Sequence, residues 1–320
     1  MSLMIRPGNL ARAAMAAVIS LGFAGCNSGD DTVAPILTGT VAGTPLAYQQ
    51  VAVAPDSDYI LVGDGTTNIV RLAARDGAIL WEYALPSGDA MESGAIAADA
   101  SIVIIGTEGG KVVALSGSGQ FLWEKDRPGE EVQVAVTDNG SMVFAGGGMG
   151  GLSCYSGAGI ELWSRKVYTR GWGIWGIACS STGDTIMLKT NSDIILCNGL
   201  GVEVSFFDIV DGNKIWSADL IADGTFFAVL FADGATYQVA LYHVVEGEFW
   251  RQTLDNGGAV SVTASGDVFA TVRNGENIVF NGNGEVVLTW LGGGNSISVD
   301  DDGLVCAVGT MGKADIYEIQ

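Results

Sequence analysis

The chain has 320 residues, of which 48% are apolar and 16% charged, with 47 Gly and only 6 Pro. Enough apolar material is present to bury a sizeable core, so disorder is excluded for most of the chain, and the lack of a Gly-X-Y period excludes collagen. A formal net charge of −21 repels phosphate backbones and excludes nucleic acid as an expected partner.

The first segment reads as an address. Residues 1–12, MSLMIRPGNLAR, hold two Arg and no acid, and residues 13–25, AAMAAVISLGFAG, are uncharged and mostly apolar. Thirteen residues are too few to span a hydrocarbon core, which needs about 20, so the pattern is that of a secretory signal over residues 1–25. Its end, Phe23-Ala24-Gly25-Cys26, resembles the bacterial lipobox, with Phe where Leu is usual. The resemblance implies a diacylglyceryl group on Cys26, and two or more acyl chains give stable anchoring. Asn27 after that Cys implies the outer membrane in a Gram-negative source, on its periplasmic or surface face. Residues 26–36 are then the lipidated Cys and a short polar tether. Without its signal the chain carries 13 basic and 36 acidic residues, a net charge of −23.

Residues 37–320 repeat. The closing aromatics Trp81, Trp123, Trp163, Phe206, Trp250 and Trp290 are spaced 42, 40, 43, 44 and 40 residues apart. That period is the length of a four-stranded propeller blade. Within each unit, β-rich runs alternate with turn signals, as in GAIAADAS, IVIIGTEGG, KVVALSGSG and QFLWEKDRPG. The first turn recurs at 55–58, 98–101, 137–140, 181–184, 222–225, 264–267 and 300–303, always rich in Asp, Gly, Ser or Asn. Seven such turns predict an all-β, seven-bladed propeller of four-stranded antiparallel blades. The last unit stops after three strands, so PILTGTV (35–41) is expected to close the final blade and remove the exposed edges.

The repeat, clearest in LVGDGTTNIVRLAARDGAILW (61–81), resembles the pyrroloquinoline-quinone-type propeller repeat. Gly63, Gly106, Gly146 and Gly309 follow that pattern, whereas Lys189, Leu230 and Val272 replace the glycine in blades four to six. The family includes a propeller lipoprotein of the outer-membrane protein assembly machine, so the resemblance implies an envelope scaffold. The quinone-dependent dehydrogenases of the same family carry eight blades and an adjacent Cys pair, which this chain lacks, so no cofactor is expected.

Motif chemistry is sparse. The five Cys contain no C-x-x-C, and with one His a four-ligand zinc site is not expected. Cys154, Cys197 and Cys306 lie in apolar strand runs and read as small core residues, with a disulfide among them left open. His243 reads as a strand residue. The glycine run 146–151 formally contains G-x-G-x-x-G, but a strand pattern follows it and no helix, so it is a turn. Asp300-Asp301-Asp302 coincides with a repeat turn. No catalytic constellation is present, and the protein is expected not to be an enzyme.

Aligned blades place Gln49, Glu92, Val132, Trp175, Trp216, Gly258 and Asn295 at the start of the inner strands, around the central channel. The connection before blade four, RKVYTRGWGIWG (165–176), is aromatic and basic and adds Tyr168, Arg170 and Trp172. Trp and Arg dominate binding hot spots, so this rim is expected to take a peptide segment or a glycan, unless its Trp merely pack between blades. The expected function is a monomeric, membrane-anchored interaction module. A carbohydrate-binding propeller, an outer-membrane assembly factor, and a hydrolase or lyase using rim carboxylates are the alternatives.

Overall fold

A computed structural model describes residues 34–43, 49–55, 59–64, 66–86, 89–127, 129–167, 169–170, 173–209, 215–273 and 275–320. Cys26 and the whole leader lie outside the described residues, as do Tyr168 and Trp172.

The described residues from Ala34 onward form 28 strands in seven sheets of four. Strand β1 (Ile36–Ala42) comes first. Blade 1 is β2 (Gln49–Val53), β3 (Tyr59–Asp64), β4 (Ile69–Ala74) and β5 (Ile79–Ala84). Blade 2 is β6 (Met91–Ile96), β7 (Ile102–Thr107), β8 (Lys111–Ser116) and β9 (Phe121–Asp126). Blade 3 is β10 (Gln133–Val136), β11 (Met142–Gly146), β12 (Gly151–Ser156) and β13 (Glu161–Lys166). Blade 4 is β14 (Gly176–Cys179), β15 (Thr185–Lys189), β16 (Asp193–Asn198) and β17 (Glu203–Asp208). Blade 5 is β18 (Ile215–Leu220), β19 (Phe226–Asp233), β20 (Thr236–His243) and β21 (Gly247–Leu254). Blade 6 is β22 (Gly258–Val262), β23 (Val268–Val272), β24 (Glu276–Phe280) and β25 (Val286–Leu291). Blade 7 takes β26 (Ser296–Val299), β27 (Val305–Thr310) and β28 (Lys313–Glu318), and β1 completes it.

This is the seven-bladed, four-stranded architecture that the period predicts. The register of closure runs from Ile36 opposite Glu318 to Ala42 opposite Lys313, with a shift between Leu37 and Gly39. The innermost strands β2, β6, β10, β14, β18, β22 and β26 touch in an unbroken cycle. Two strands per blade, the second and third, are almost wholly buried: IVIIGT of β7 and VFATV of β23 are buried at every position. Apolar runs without alternation are what a sheet covered on both faces requires. The core is a series of interblade layers, one per blade pair.

The repeat motif explains how the layers lock. Four closing indoles donate to a turn carbonyl in the next blade: Trp81 Nε1 to Gly117 (3.0 Å), Trp123 to Gly157 (2.8 Å), Trp163 to Gly199 (3.1 Å) and Trp250 to Gly282 (3.1 Å). Two residues on in the same turn a second glycine is needed twice over. Gly159 has φ +78°, and a Cβ there would lie 2.7 Å from the Trp123 ring. Phe206 cannot donate, and the facing turn of blade 5, His243–Gly247, has no Gly-x-Gly. There Phe207 packs edge-on against Phe227 (5.0 Å between centroids) and Tyr242 (6.2 Å). Indole donor and glycine acceptor are therefore absent together at that joint. Cys154, Cys197 and Cys306 are buried free thiols, and Cys179 is a partly buried free thiol.

Candidate functional site at the channel mouth

Each inner strand starts at one end of the channel and runs to the first repeat turn at the other. At the turn end, backbone bonds link successive blades: Ala98 N to Asp138 O (2.8 Å), Asp138 N to Ser181 O (3.1 Å), Ser181 N to Ala222 O (2.8 Å) and Ala264 N to Asp301 O (3.0 Å). These links bring the turns together, and Asp138, Asp219, Asp300 and Asp302 surround Asp301 with negative charge. Burial first, then those neighbours, push the Asp301 carboxyl up to about 6.

The start end carries the sequence-predicted ring. Serine hydroxyls fasten adjacent inner strands there. Ser93 donates to Val132 O (2.9 Å) and accepts from Val134 N (3.0 Å), Ser217 accepts from Val260 N (3.2 Å), and Ser296 donates to Gln49 O (2.7 Å). Glu92, Trp216 and Asn295 each precede one of these serines, so the fastening sets their position around the mouth. Gln49 is buried, at 1% exposure, against Gly43.

The mouth has two unlike sides. On blades 2 and 3, Glu92 accepts from Gln133 Nε2 at 2.9 Å, with Glu131 and Glu108 as its acidic neighbours and Asp89 in turn beside Glu108. Burial, then Glu131 and Glu108, raise the Glu92 carboxyl to about 7, against the lowering pull of the Gln133 hydrogen bond and the Lys189 ammonium. Glu108 is also raised, by burial and then by Glu131 and Asp89. Lys189 occupies the slot that is glycine in blades 1, 2, 3 and 7, and this is how a cation reaches the acidic side.

On blades 5 to 7 the side chains are aromatic and cationic. The Arg273 guanidinium lies 5.3 Å from the Trp216 ring centroid and donates Nε to Asn295 Oδ1 at 2.6 Å. Tyr237 meets the same indole edge-on at 5.8 Å. Three blades thus contribute one stacked cluster. Trp216 and Asn295 were legible from the repeat, but Arg273 was not. The available signal is that it follows Val272, which takes the glycine slot of blade 6.

Trp175 stands directly before inner strand β14 of blade 4, partly buried, and donates its backbone N–H to Lys189 O at 2.7 Å. Arg170 turns to the outer strands of blade 4. It pairs with Asp208 at 3.1 Å and Asp193 at 3.6 Å and covers the Phe206 ring at 4.5 Å. His243 ends β20, and its Nδ1 accepts from the backbone of Glu246 at 3.1 Å. Among the described residues no group of three or more His, Cys, Asp or Glu is placed to hold a metal ion. Stacked aromatics, a guanidinium and a facing acidic wall suit recognition of a charged, partly apolar surface.

Comparison with known proteins agrees with this reading of the fold. The family model described as outer membrane protein assembly factor BamB matches residues 32–197. The outer membrane protein assembly factor BamB of Nitrosomonas eutropha is 27% identical over 114 residues, which cover 36% of this chain and 27% of that protein. The matched stretch therefore spans about a quarter of that relative's length.

Proposed function

Because the chain belongs to the BamB family of outer membrane protein assembly factors, we propose that it is a non-enzymatic scaffold of the cell envelope, anchored through lipid on Cys26, that holds a protein partner over its channel mouth. The observation that carries this reading is the Trp216–Arg273–Asn295 cluster, built from three blades and facing an acidic wall. Large rigid aromatics and Arg give contact area at low entropic cost, and complementary charge orients the partner. The described chain enters at Ile36, at the turn end of blade 7 and opposite the mouth. A tether of ten residues from Cys26 reaches at most about 35 Å.

The test is a pull-down from solubilised membranes with the full, lipid-bearing chain as bait, beside W216A and R273A variants. Capture of a defined protein that both variants lose supports the proposal. Capture of glycan on an array, also lost by the variants, would replace the protein partner with a carbohydrate one. Capture unaffected by either variant would remove the mouth from consideration.

A further inference from the structure

Each of the seven blades ends in an outermost strand bonded to one neighbour only, so its far edge offers backbone groups to another chain. Charge separates one of these edges from the rest. Strand β5 carries Glu82 alone, for −1. Strand β9 carries Glu124, Asp126 and Lys125, for −1, and β17 carries Glu203 and Asp208, for −2. Strands β1 and β25 are uncharged, and in β21 Arg251 and Glu248 cancel by pairing with each other. Only β13, ELWSRK, is positive: Arg165 and Lys166 against Glu161 give +1.

Both cations stand at the end of β13 beside a groove of about 330 Å³, lined by Glu130, Met149, Gly151, Ser164, Arg165 and Lys166. The groove wall is fixed. Arg127 donates to Glu130 (2.7 Å), to Ser153 Oγ (2.9 Å) and to Gly151 O (2.8 Å), which neutralises the one lining carboxylate and ties blade 2 to blade 3. Arg165 is held across the next joint by its Nε donating to Leu200 O at 3.4 Å. Met149 projects from the glycine hairpin, 63% exposed. A flexible thioether at a rim adapts to varied apolar side chains.

We infer that the β13 edge and this groove bind an extended acidic segment of a partner protein. The segment adds as a fifth strand to blade 3, with carboxylates on Arg165 and Lys166 and an apolar side chain on Met149. Alternation along a strand sends successive side chains to opposite faces, which matches the placement of Arg165 towards blade 4 and of Lys166 in the groove towards blade 2. The site is separate from the channel mouth and does not depend on it.

The experiment titrates the full chain against a fluorescein-labelled twelve-residue peptide of three Glu-Glu-Val-Val repeats, which sets carboxylates on both faces of an added strand, beside its Lys-for-Glu counterpart, with anisotropy as the readout. Binding of the Glu peptide alone is expected. It should weaken roughly tenfold from low to physiological salt and at least about tenfold in R165Q/K166Q, and about threefold in M149A. Hydrogen exchange should slow in residues 161–166. The W216A variant should bind the peptide normally, so failure at the mouth and failure here are distinguishable. Circular dichroism and melting temperature check that each variant is folded. Equal binding of the Lys peptide, unchanged affinity in a folded R165Q/K166Q, or slowed exchange elsewhere would overturn the inference. So would self-association of the chain that the same substitution abolishes, since the occupant would then be a second copy.

Discussion

Thr38 donates its hydroxyl to the carbonyl of Arg75 at 2.9 Å, and so does for the closure of the ring what an indole does between other blades. Arg75 and Gly77 stand in blade 1 where Gly117 and Gly119 stand in blade 2. Gly39, without a side chain, lies against Asp76 and Gly77 where a Trp ring would otherwise press. The joint between the two ends of the chain is thus latched by a smaller donor in a closer approach. Replacing Thr38 by Val keeps the shape and removes the donor. A loss of about 1 kcal/mol is expected, and chemical denaturation of T38V measures it.

The indole latches give a sharper effect. In G159A a methyl would enter 2.7 Å from the Trp123 ring at a residue with φ +78°. Left-handed strain of about 1–2 kcal/mol adds to the steric conflict, so a loss of at least about 2 kcal/mol is expected. Ala158, the neighbouring turn residue, serves as the control. A158S should stay within about 0.5 kcal/mol of the parent in the same denaturation measurement.

The period of the closing aromatics and the Asp/Gly turns carried the blade count, because each reports a local geometric need that the sequence must satisfy in every blade. The ring positions were legible for the same reason, through Glu92, Trp216 and Asn295 next to the fastening serines. Side-chain direction was not. Arg170 sits in a basic, aromatic stretch that reads as a rim, yet two carboxylates 23 and 38 residues further along draw it outward. Neither the stack of Arg273 on Trp216 nor the bracing of Arg127 by Glu130 follows from periodicity, since each joins positions whose distance depends on loop paths between blades.

Glu92 predicts a pH dependence. Its folded carboxyl titrates near 7, above the ordinary value of 4.5, so the folded state holds a proton that the unfolded chain has lost between those values. Unfolding releases that proton, and stability from this group falls as pH rises from about 4.5 to 7, then levels. E92Q keeps an acceptor for Gln133 and abolishes the titration. Melting curves at pH 5 and pH 8 should show the parent losing more than E92Q, by about 1–2 kcal/mol after allowance for solvent screening. Equal losses would mean that the carboxylate is fully solvated at neutral pH.

Arg170 separates support from recognition at the rim. Its guanidinium lies over Phe206 and faces Asp193, which has no exposed surface, and the half-exposed Asp208. The Asp193 carboxylate also accepts from Thr190 Oγ1, at 3.4 Å. Truncation to Ala strands a buried charge, which costs about 2–4 kcal/mol. Lys restores charge without the planar stack or the forked donors, so R170K should recover about half of that loss. In the double variant R170A/D193N the buried charge is gone, and stability should return to within about 1 kcal/mol of the parent. Denaturation of the parent, R170A, D193N and R170A/D193N completes a cycle. If R170A melts with the parent, the ion pair is solvated, and Arg170 becomes available to a ligand after all.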